Sequence, residues 1–580
     1  MKKLIIAGAI IATGASAYIL TQQELLPTYP FASTYNVLEY IPADTPIFAG
    51  QLEPFPLKDY IASTPNMMTA SDHKKRTDSS LPASKFLFNL MDTYQTSLSD
   101  ADLFINTFGL PDNVRAYFYT LGWLPVFKIE IANEQAIWTL LDKAELESGF
   151  THKKGTLEDI SYRIYRWDKS DPINGEVIVA INNGFLTITF NSAYHEETLL
   201  AKALGLVAAE ESLADSAMIE ETIKKHNFDN ASLAFINHIE IVKGLTTEDG
   251  NQLARQITRL DKVLDMKSVL AEFRNKQCAT EFATIAANWP RTVSGYTQLD
   301  IDDAQSTIGI STIIESNNQV ILNALSAIRG FIPKYTADID NNVLAMGLGF
   351  NVSELSNTLN KIWGDLQTPT YRCQPLAEIQ TEITQLGKMI AIVSIGANMA
   401  NGVQGLSFGL LDYALSKIDN APQLDSVDAL FTVSVDNPEG LFNSIKMFIP
   451  ELQKMQLTKG SEPIQLSNIL PVPAEFNIDP KLVIKGKHIV IYNGEKAKKV
   501  ADQLTSESLS ANGIYNLSYD VKKAFIPLVT ATELYDDEII EESIEDIMLS
   551  AEYDVRVQMS IDINEQGLIF KSKLNTKAPN

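Results

Sequence analysis

Two stretches of this chain repeat one another closely enough to fix what it can fold into. Residues 127–141 read FKIEIANEQAIWTLL and residues 431–445 read FTVSVDNPEGLFNSI. Phe127 matches Phe431 and Asn133 matches Asn437, while Ile129 and Ile131 fall on Val433 and Val435. Ile137, Trp138 and Leu141 fall on Leu441, Phe442 and Ile445. In each copy every second residue is apolar, a polar turn follows, and apolar residues then recur at helical spacing. That is a strand running into an amphipathic helix.

The neighbours of the two stretches correspond in the same order. Residues 342–359 answer 46–61, and 403–410 answer 113–120. Residues 482–504 answer 181–204, 515–528 answer 233–245, and 555–574 answer 296–314. Identity is low, so the correspondence rests on pattern and order. A chain of 580 residues is too long for one hydrophobic core in any case. The expectation is an α+β protein of two diverged, tandemly duplicated halves, each a mainly antiparallel sheet with packed helices. Residues 45–330 form the first half and 340–580 the second, after a signal peptide or membrane anchor over 1–20 and a tether over 21–44.

Within the first half, Asn182-Asn183-Gly184 between alternating apolar runs predicts a hairpin. Residues 233–241 read as strand, 251–274 as one long amphipathic helix, and 296–314 as two strands around the polar turn 302–306. Residues 65–84 lack apolar periodicity and read as a loop, which carries the basic cluster His73-Lys74-Lys75-Arg76. The run 389–400 is apolar nearly all round but too short to span a bilayer, so it reads as a buried helix. The acidic run 536–546 places Ile540 and Ile544 on one stripe and reads as a solvated helix.

Lys2 and Lys3 precede an apolar run that ends in Ala15-Ser16-Ala17, the small-x-small form of a secretory cleavage site. Tyr18, Ile19 and Leu20 lengthen the run toward the lower limit for a spanning helix, so cleavage after Ala17 and retention as an inner-membrane tether are both open. The formal net charge of −25 disfavours nucleic acid as a partner. Cys278 and Cys373 are the two cysteines. In an oxidising compartment they can pair, and two buried free thiols is the alternative. They are too few for a zinc site.

Gly405-Leu406-Ser407-Phe408-Gly409 fits the G-x-S-x-G nucleophile elbow, with Asp428 or Asp479 and then His488 following in the order a serine hydrolase needs. That chemistry requires the serine on a sharp turn between a strand and a helix. The repeat instead sets Ser407 within a strand, and His488 at the place of Phe185, a packing position. His195-Glu196-Glu197 lacks the second histidine of a zinc motif, since position 199 is Leu. The run from Asp562 to Gly567 starts like a calcium loop but has Lys573 where the loop needs a bidentate Glu, so it reads as a hairpin turn. Asp338 and Asp340 read as a polar linker. No catalytic, cofactor-binding or metal site is therefore expected.

The block Ile41-Pro42-Ala43-Asp44-Thr45-Pro46, followed by Phe48-Ala49-Gly50, resembles the opening of a family of bacterial envelope proteins of unknown function. The GLSFGLLD stretch at 405–412 shares in the resemblance. It implies a signal segment, an α+β body and a periplasmic location, with no catalytic residues or cofactor. The resulting expectation is a non-catalytic exported protein that binds an envelope protein or an apolar, lipid-like ligand. A serine hydrolase using Ser407 is the alternative. Curved antiparallel sheets crossed by helices can enclose an apolar groove, which is where such a ligand would be sought.

Overall fold

The computed structural model describes residues 36–64, 81–166, 175–192, 195–264, 267–384, 387, 390, 392–393, 396–397, 400–418, 421–453, 455–468, 478–524, 527 and 553–579. Residues 1–35, the basic cluster at 73–76 and the acidic run 536–546 lie outside the described residues, as does half of 389–400, where the described Ile392 and Val393 are exposed rather than buried as expected. The chain divides into two compact units, Met1–Asn317 with Tyr371–Glu378, and Asn318–Thr370 with Ile379–Asn580.

The first unit is built on ten strands: β1 (Ile47–Gln51), β2 (Ala116–Leu121), β3 (Leu124–Glu130), β4 (Lys153–Leu157), β5 (Ile160–Tyr165), β6 (Glu176–Asn182), β7 (Phe185–Asn191), β8 (Ser232–Asn237), β9 (Arg291–Ile301) and β10 (Gln305–Glu315). They pair antiparallel in the order β4-β5-β6-β7-β3-β2-β1-β8-β9-β10. The expected hairpin between β6 and β7 forms, with Asn183 and Gly184 both at positive φ as a two-residue hairpin loop demands. Helices Leu57–Ser63, Pro82–Ser97, Ala101–Phe108 and Glu134–Ser148 bury their apolar stripes against Ile129, Ile131, Val179 and Leu186 on one sheet face.

In the second unit the strands are β11 (Leu344–Gly349), β12 (Val403–Ile418), β13 (Ala421–Val435), β14 (Ile464–Gln465), β15 (Lys481–Lys485), β16 (His488–Asn493), β17 (Tyr515–Asp520), β18 (Arg556–Asn564) and β19 (Gly567–Lys577). Their antiparallel order is β14-β15-β16-β13-β12-β11-β17-β18-β19. This succession matches β5-β6-β7-β3-β2-β1-β8-β9-β10 position for position. The paired stretches behave alike: β3 leads through Asn133 into helix Glu134–Ser148, and β13 through Asn437 into helix Pro438–Ile445. Both asparagines cap, Asn133 Oδ1 accepting from Gln135 N–H at 3.1 Å and Asn437 Oδ1 from Gly440 N–H at 3.0 Å. Their match is thus a requirement of the strand-to-helix turn.

Several local expectations are corrected. The run 233–241 is not one strand: β8 ends at Asn237, whose Oδ1 accepts from Glu240 N–H, and helix His238–Thr246 begins. The amphipathic stretch 251–274 is helical over Gln252–Leu264 and Lys267–Phe273, and residues 265 and 266 between them lie outside the described residues. Helix Pro82–Ser97 starts inside the stretch read as a loop, with its proline at a first-turn position where no N–H is required. Cys278 and Cys373 form a disulfide, both cysteines lying in the first unit. The neighbouring Glu281 carboxylate accepts from the Arg372 and Cys373 N–H groups at 3.0 and 2.9 Å, holding the Tyr371–Glu378 segment from a second side.

Candidate functional site

Alternation along β11, β12, β13 and β17 sorts the second unit's sheet into two unlike faces. The closed face carries Ala345, Ser407, Leu430, Thr432 and Val490, packed beneath Tyr335 and helix Glu495–Leu504. Gly409 is needed here, since a Cβ would come within 2.8 Å of the Tyr335 ring. The other face carries Met346 between Phe408 and Leu517 in register, then Leu348 between Leu406 and Tyr515. Phe431 lies opposite Phe408, and Met559 opposite Leu517. Met346, Leu348, Leu406, Phe431 and Met559 are each 38–43% exposed. One end of this face is covered, where helix Pro438–Ile445 sets Phe442 and Leu441 against Val433, Ile489 and Ile491. Among the described residues, the rest of this face is an apolar surface spread over adjacent strands.

The corresponding face of the first unit has a smaller opening. Where β1, β8, β9 and β10 run side by side, Ile47, Ala49, Ala234, Ile236, Ser294 and Thr312 line a shallow recess. Its empty volume is about 330 Å³, counting open solvent at its mouth. The recess exists because Ala49, Ala234 and Ser294 pair across neighbouring strands, setting short side chains side by side. Ser294 and Thr312 share a hydrogen bond of 2.9 Å, which leaves the lining with little free polarity.

The residues of the hydrolase motif are not brought together. Ser407 is mid-strand in β12, 3% exposed and opposite Thr432, so it stands on no strand-to-helix turn. His488 is buried opposite Ser434, and its Nδ1 lies 2.9 Å from Ser434 Oγ. Burial lowers the His488 pKa. Asp428 Oδ1 accepts from the Lys496 and Ala497 N–H groups at the start of helix Glu495–Leu504. Asp479 accepts from Ser467 Oγ at 2.7 Å. His488, Asp428 and Asp479 therefore each have a local bonding partner, and none of these bonds involves Ser407.

Other polar features resolve in the same way. Glu196 pairs with Arg259 at 3.2 Å, and burial pushes the His195 imidazole down to about 4. Asp562 makes a two-point ion pair with Arg329, at 2.6 and 2.7 Å. Asp338 Oδ1 accepts from the Asp340 and Asn341 N–H groups, closing a turn. Among the described residues no group of three or more His, Cys, Asp or Glu is arranged to hold a metal ion.

Buried charged residues in the first unit, Lys128 and Glu315 foremost, were missed by sequence reasoning. Lys128 faces away from the helices yet is 1% exposed, with its Nζ donating to Thr187 Oγ1 at 2.8 Å. Burial pushes its amine down to about 7. Glu315 accepts from Lys225 Nζ, His226 Nε2 and Arg291 Nε at 2.6, 2.9 and 2.8 Å. Burial alone would raise its pKa, but the bonds from His226, Lys225 and Arg291 outweigh that and hold it at about 2.

No protein-family model matches the chain. No curated protein matches it. Among solved structures, crystal form III of TP0453, a membrane-associated protein of Treponema pallidum, matches at 10% identity and a TM-score of 0.23, over 51% of this chain and 88% of that one. A likeness at that TM-score carries no argument for fold or activity. The resemblance read from residues 41–50 accordingly leads to no family assignment. Among the described residues no helix is long and apolar enough to cross a membrane.

Proposed function

We propose that this is a non-catalytic, exported envelope protein that binds a lipid-like ligand through a hydrocarbon chain laid on the open sheet face of its second unit. The observation that carries the reading is the cluster of Met346, Leu348, Leu406, Phe431 and Met559, large apolar side chains left open to solvent on neighbouring strands. Full burial of such a side chain is worth roughly 1.5–3 kcal/mol, and with about two-fifths of each still exposed a hydrocarbon chain lying over all five gains on the order of 3–6 kcal/mol without any ionic contact. The disulfide is consistent with an oxidising compartment such as the bacterial periplasm. The matched strand order of the two units supports an origin by tandem duplication, and the recess in the first unit then occupies the equivalent face.

The test uses the purified full chain and an environment-sensitive naphthylamine dye. Saturable dye fluorescence is expected, displaced by long-chain fatty acid and weakened at least tenfold by Leu406→Glu combined with Phe431→Glu. Absence of saturable binding, with no lipid in an organic extract of the protein, overturns the reading in favour of a protein partner. The non-catalytic part has its own check. A fluorophosphonate probe is expected to leave the protein unlabelled, and labelling lost in Ser407→Ala would restore the hydrolase. N-terminal sequencing of exported protein returns Tyr18 first if the leader is cleaved.

A further inference from the structure

The open face of the second unit is bare where the matching face of the first is covered. In the first unit Phe127 and Ala116 pack against the cluster of Phe86, Phe104, Ile105 and Leu141. The sequence match and the strand register put Phe431 and Leu406 at the same points of the second unit. Phe431 lies opposite Phe408 as Phe127 lies opposite Phe118, and Leu406 opposite Val433 as Ala116 opposite Ile129. Phe431 and Leu406 are exposed, and so is Ile445, the counterpart of the buried Leu141. Much of the first unit's cover comes from helices lying between β1 and β2, where Phe86, Phe104 and Ile105 stand.

The second unit holds a matching helical run between β11 and β12, and both runs are tied to their sheets by the same joint. Helix Ala101–Phe108 ends at Gly109, at positive φ, whose carbonyl accepts from the Ala132 and Asn133 N–H groups at 2.8 and 2.9 Å. The second run is helical at the described residues 387, 390, 392, 393, 396 and 397 and leads to Gly402. Gly402 is also at positive φ, and its carbonyl accepts at 2.9 Å from the N–H of Asp436, the residue that matches Ala132. Beyond the joint the two differ. Phe104 and Ile105 are buried in the first unit. In the second, Ala397 is buried and Ala400 joins the cluster of Val433, Leu441 and Phe442, yet Ile392 and Val393 are 70% and 39% exposed. Between the held end and the exposed pair stands Gly396, with nothing within 4 Å of where its Cβ would be, a residue at which the backbone bends at little cost. A helix from 387 to 396 is about 14 Å long, enough to cross about three strand spacings of ~4.8 Å.

We infer that this run is a hinged cover for the open face, which in its closed form sets Ile392 and Val393 over Leu406, Phe408 and Phe431. Helices before β2 do the same for Ala116 and Phe127 in the first unit. Both surfaces belong to the second unit, and each is left exposed without the other. Closing removes apolar area of both from water. A hydrocarbon chain and the cover compete for the same residues, so binding of the chain requires the cover to lift. The cover regulates the ligand site proposed above and rests on that reading for its purpose, while closure itself is tested without ligand.

The experiment uses the full chain with its disulfide intact, so that Cys278 and Cys373 do not react. Ile392→Cys with Leu406→Cys is expected to be joined within one chain by a short bismaleimide. Saturating long-chain fatty acid is expected to lower the yield at least threefold. Ile392→Asp with Val393→Asp is expected to tighten binding of the naphthylamine dye at least threefold, because the dye then has no competitor. The milder Ile392→Ser with Val393→Ser is expected to tighten it at least twofold. Absence of crosslinking, with dye affinity unchanged in both of these double variants, overturns the cover and leaves the ligand reading standing. Joining between chains and not within one overturns it in favour of a second copy as the occupant. Crosslinking within the chain, with no dye bound by any variant, upholds the cover and refutes the ligand reading.

Discussion

Lys128 and Glu315 are buried to about the same degree and pull stability in opposite directions. Lys128 has only a neutral hydroxyl for a partner, and its amine sits at about 7 against an ordinary 10.5. Below pH 7 both folded and unfolded chains hold the proton, and the full penalty of a buried charge applies, at most ~5 kcal/mol by the size of the shift. Between pH 7 and about 10.5 the unfolded chain binds more protons, so this residue makes stability rise with pH. Lys128→Met is expected to raise stability at pH 7 by about 1–3 kcal/mol and to flatten that rise, read by urea unfolding across pH 6–10. Glu315 is held at about 2 against an ordinary 4.5. Its contribution is complete above pH 4.5 and is lost as pH falls toward 2. Glu315→Ala strands Lys225, His226 and Arg291 and is expected to cost about 3–5 kcal/mol at pH 7, an effect that shrinks in melts taken near pH 3. Neither residue was legible in the sequence. Alternation along FKIEIA told which residues share a face, but a covered second face looks the same as a solvated one until the distant segments that cover it are known.

At the scale of elements, legibility followed the range of the interaction that makes each one. The Asn183-Gly184 hairpin and the capped helix starts at Asn133 and Asn437 depend on residues a few places apart, and local pattern revealed them. Helices Pro82–Ser97, Ala101–Phe108 and Lys276–Asn288 were not read. Their apolar stripes are partly exposed, with Leu87, Met91 and Leu103 facing solvent, which blurs the helical period. The candidate site suffered most. Met346, Leu406 and Phe431 look like ordinary core residues of alternating strands, and only the strand register and the layout of the helices distinguish a face that is filled from one that is open.

At the scale of the molecule, the two units repeat one strand order but differ in how they are closed. The first unit is completed by Tyr371–Glu378, a segment that follows part of the second unit in the chain. Its bridge from Cys278 to Cys373 spans 95 residues, for which loop-closure entropy gives about 4–5 kcal/mol. Cys278→Ala with Cys373→Ala is expected to lower the stability of the first unit by about 3–5 kcal/mol, seen as an earlier melting step under oxidising conditions. Under full reduction the parent and the variant are expected to melt together. The excursion also sets an order of assembly. As the chain emerges from the ribosome, everything through Asn317 arrives before the segment that finishes the first unit, and residues 318–370 must pass in between. The first unit therefore waits, with a free Cys278 thiol, until well into the synthesis of the second, and a fragment cut after Asn317 would carry an orphan cysteine.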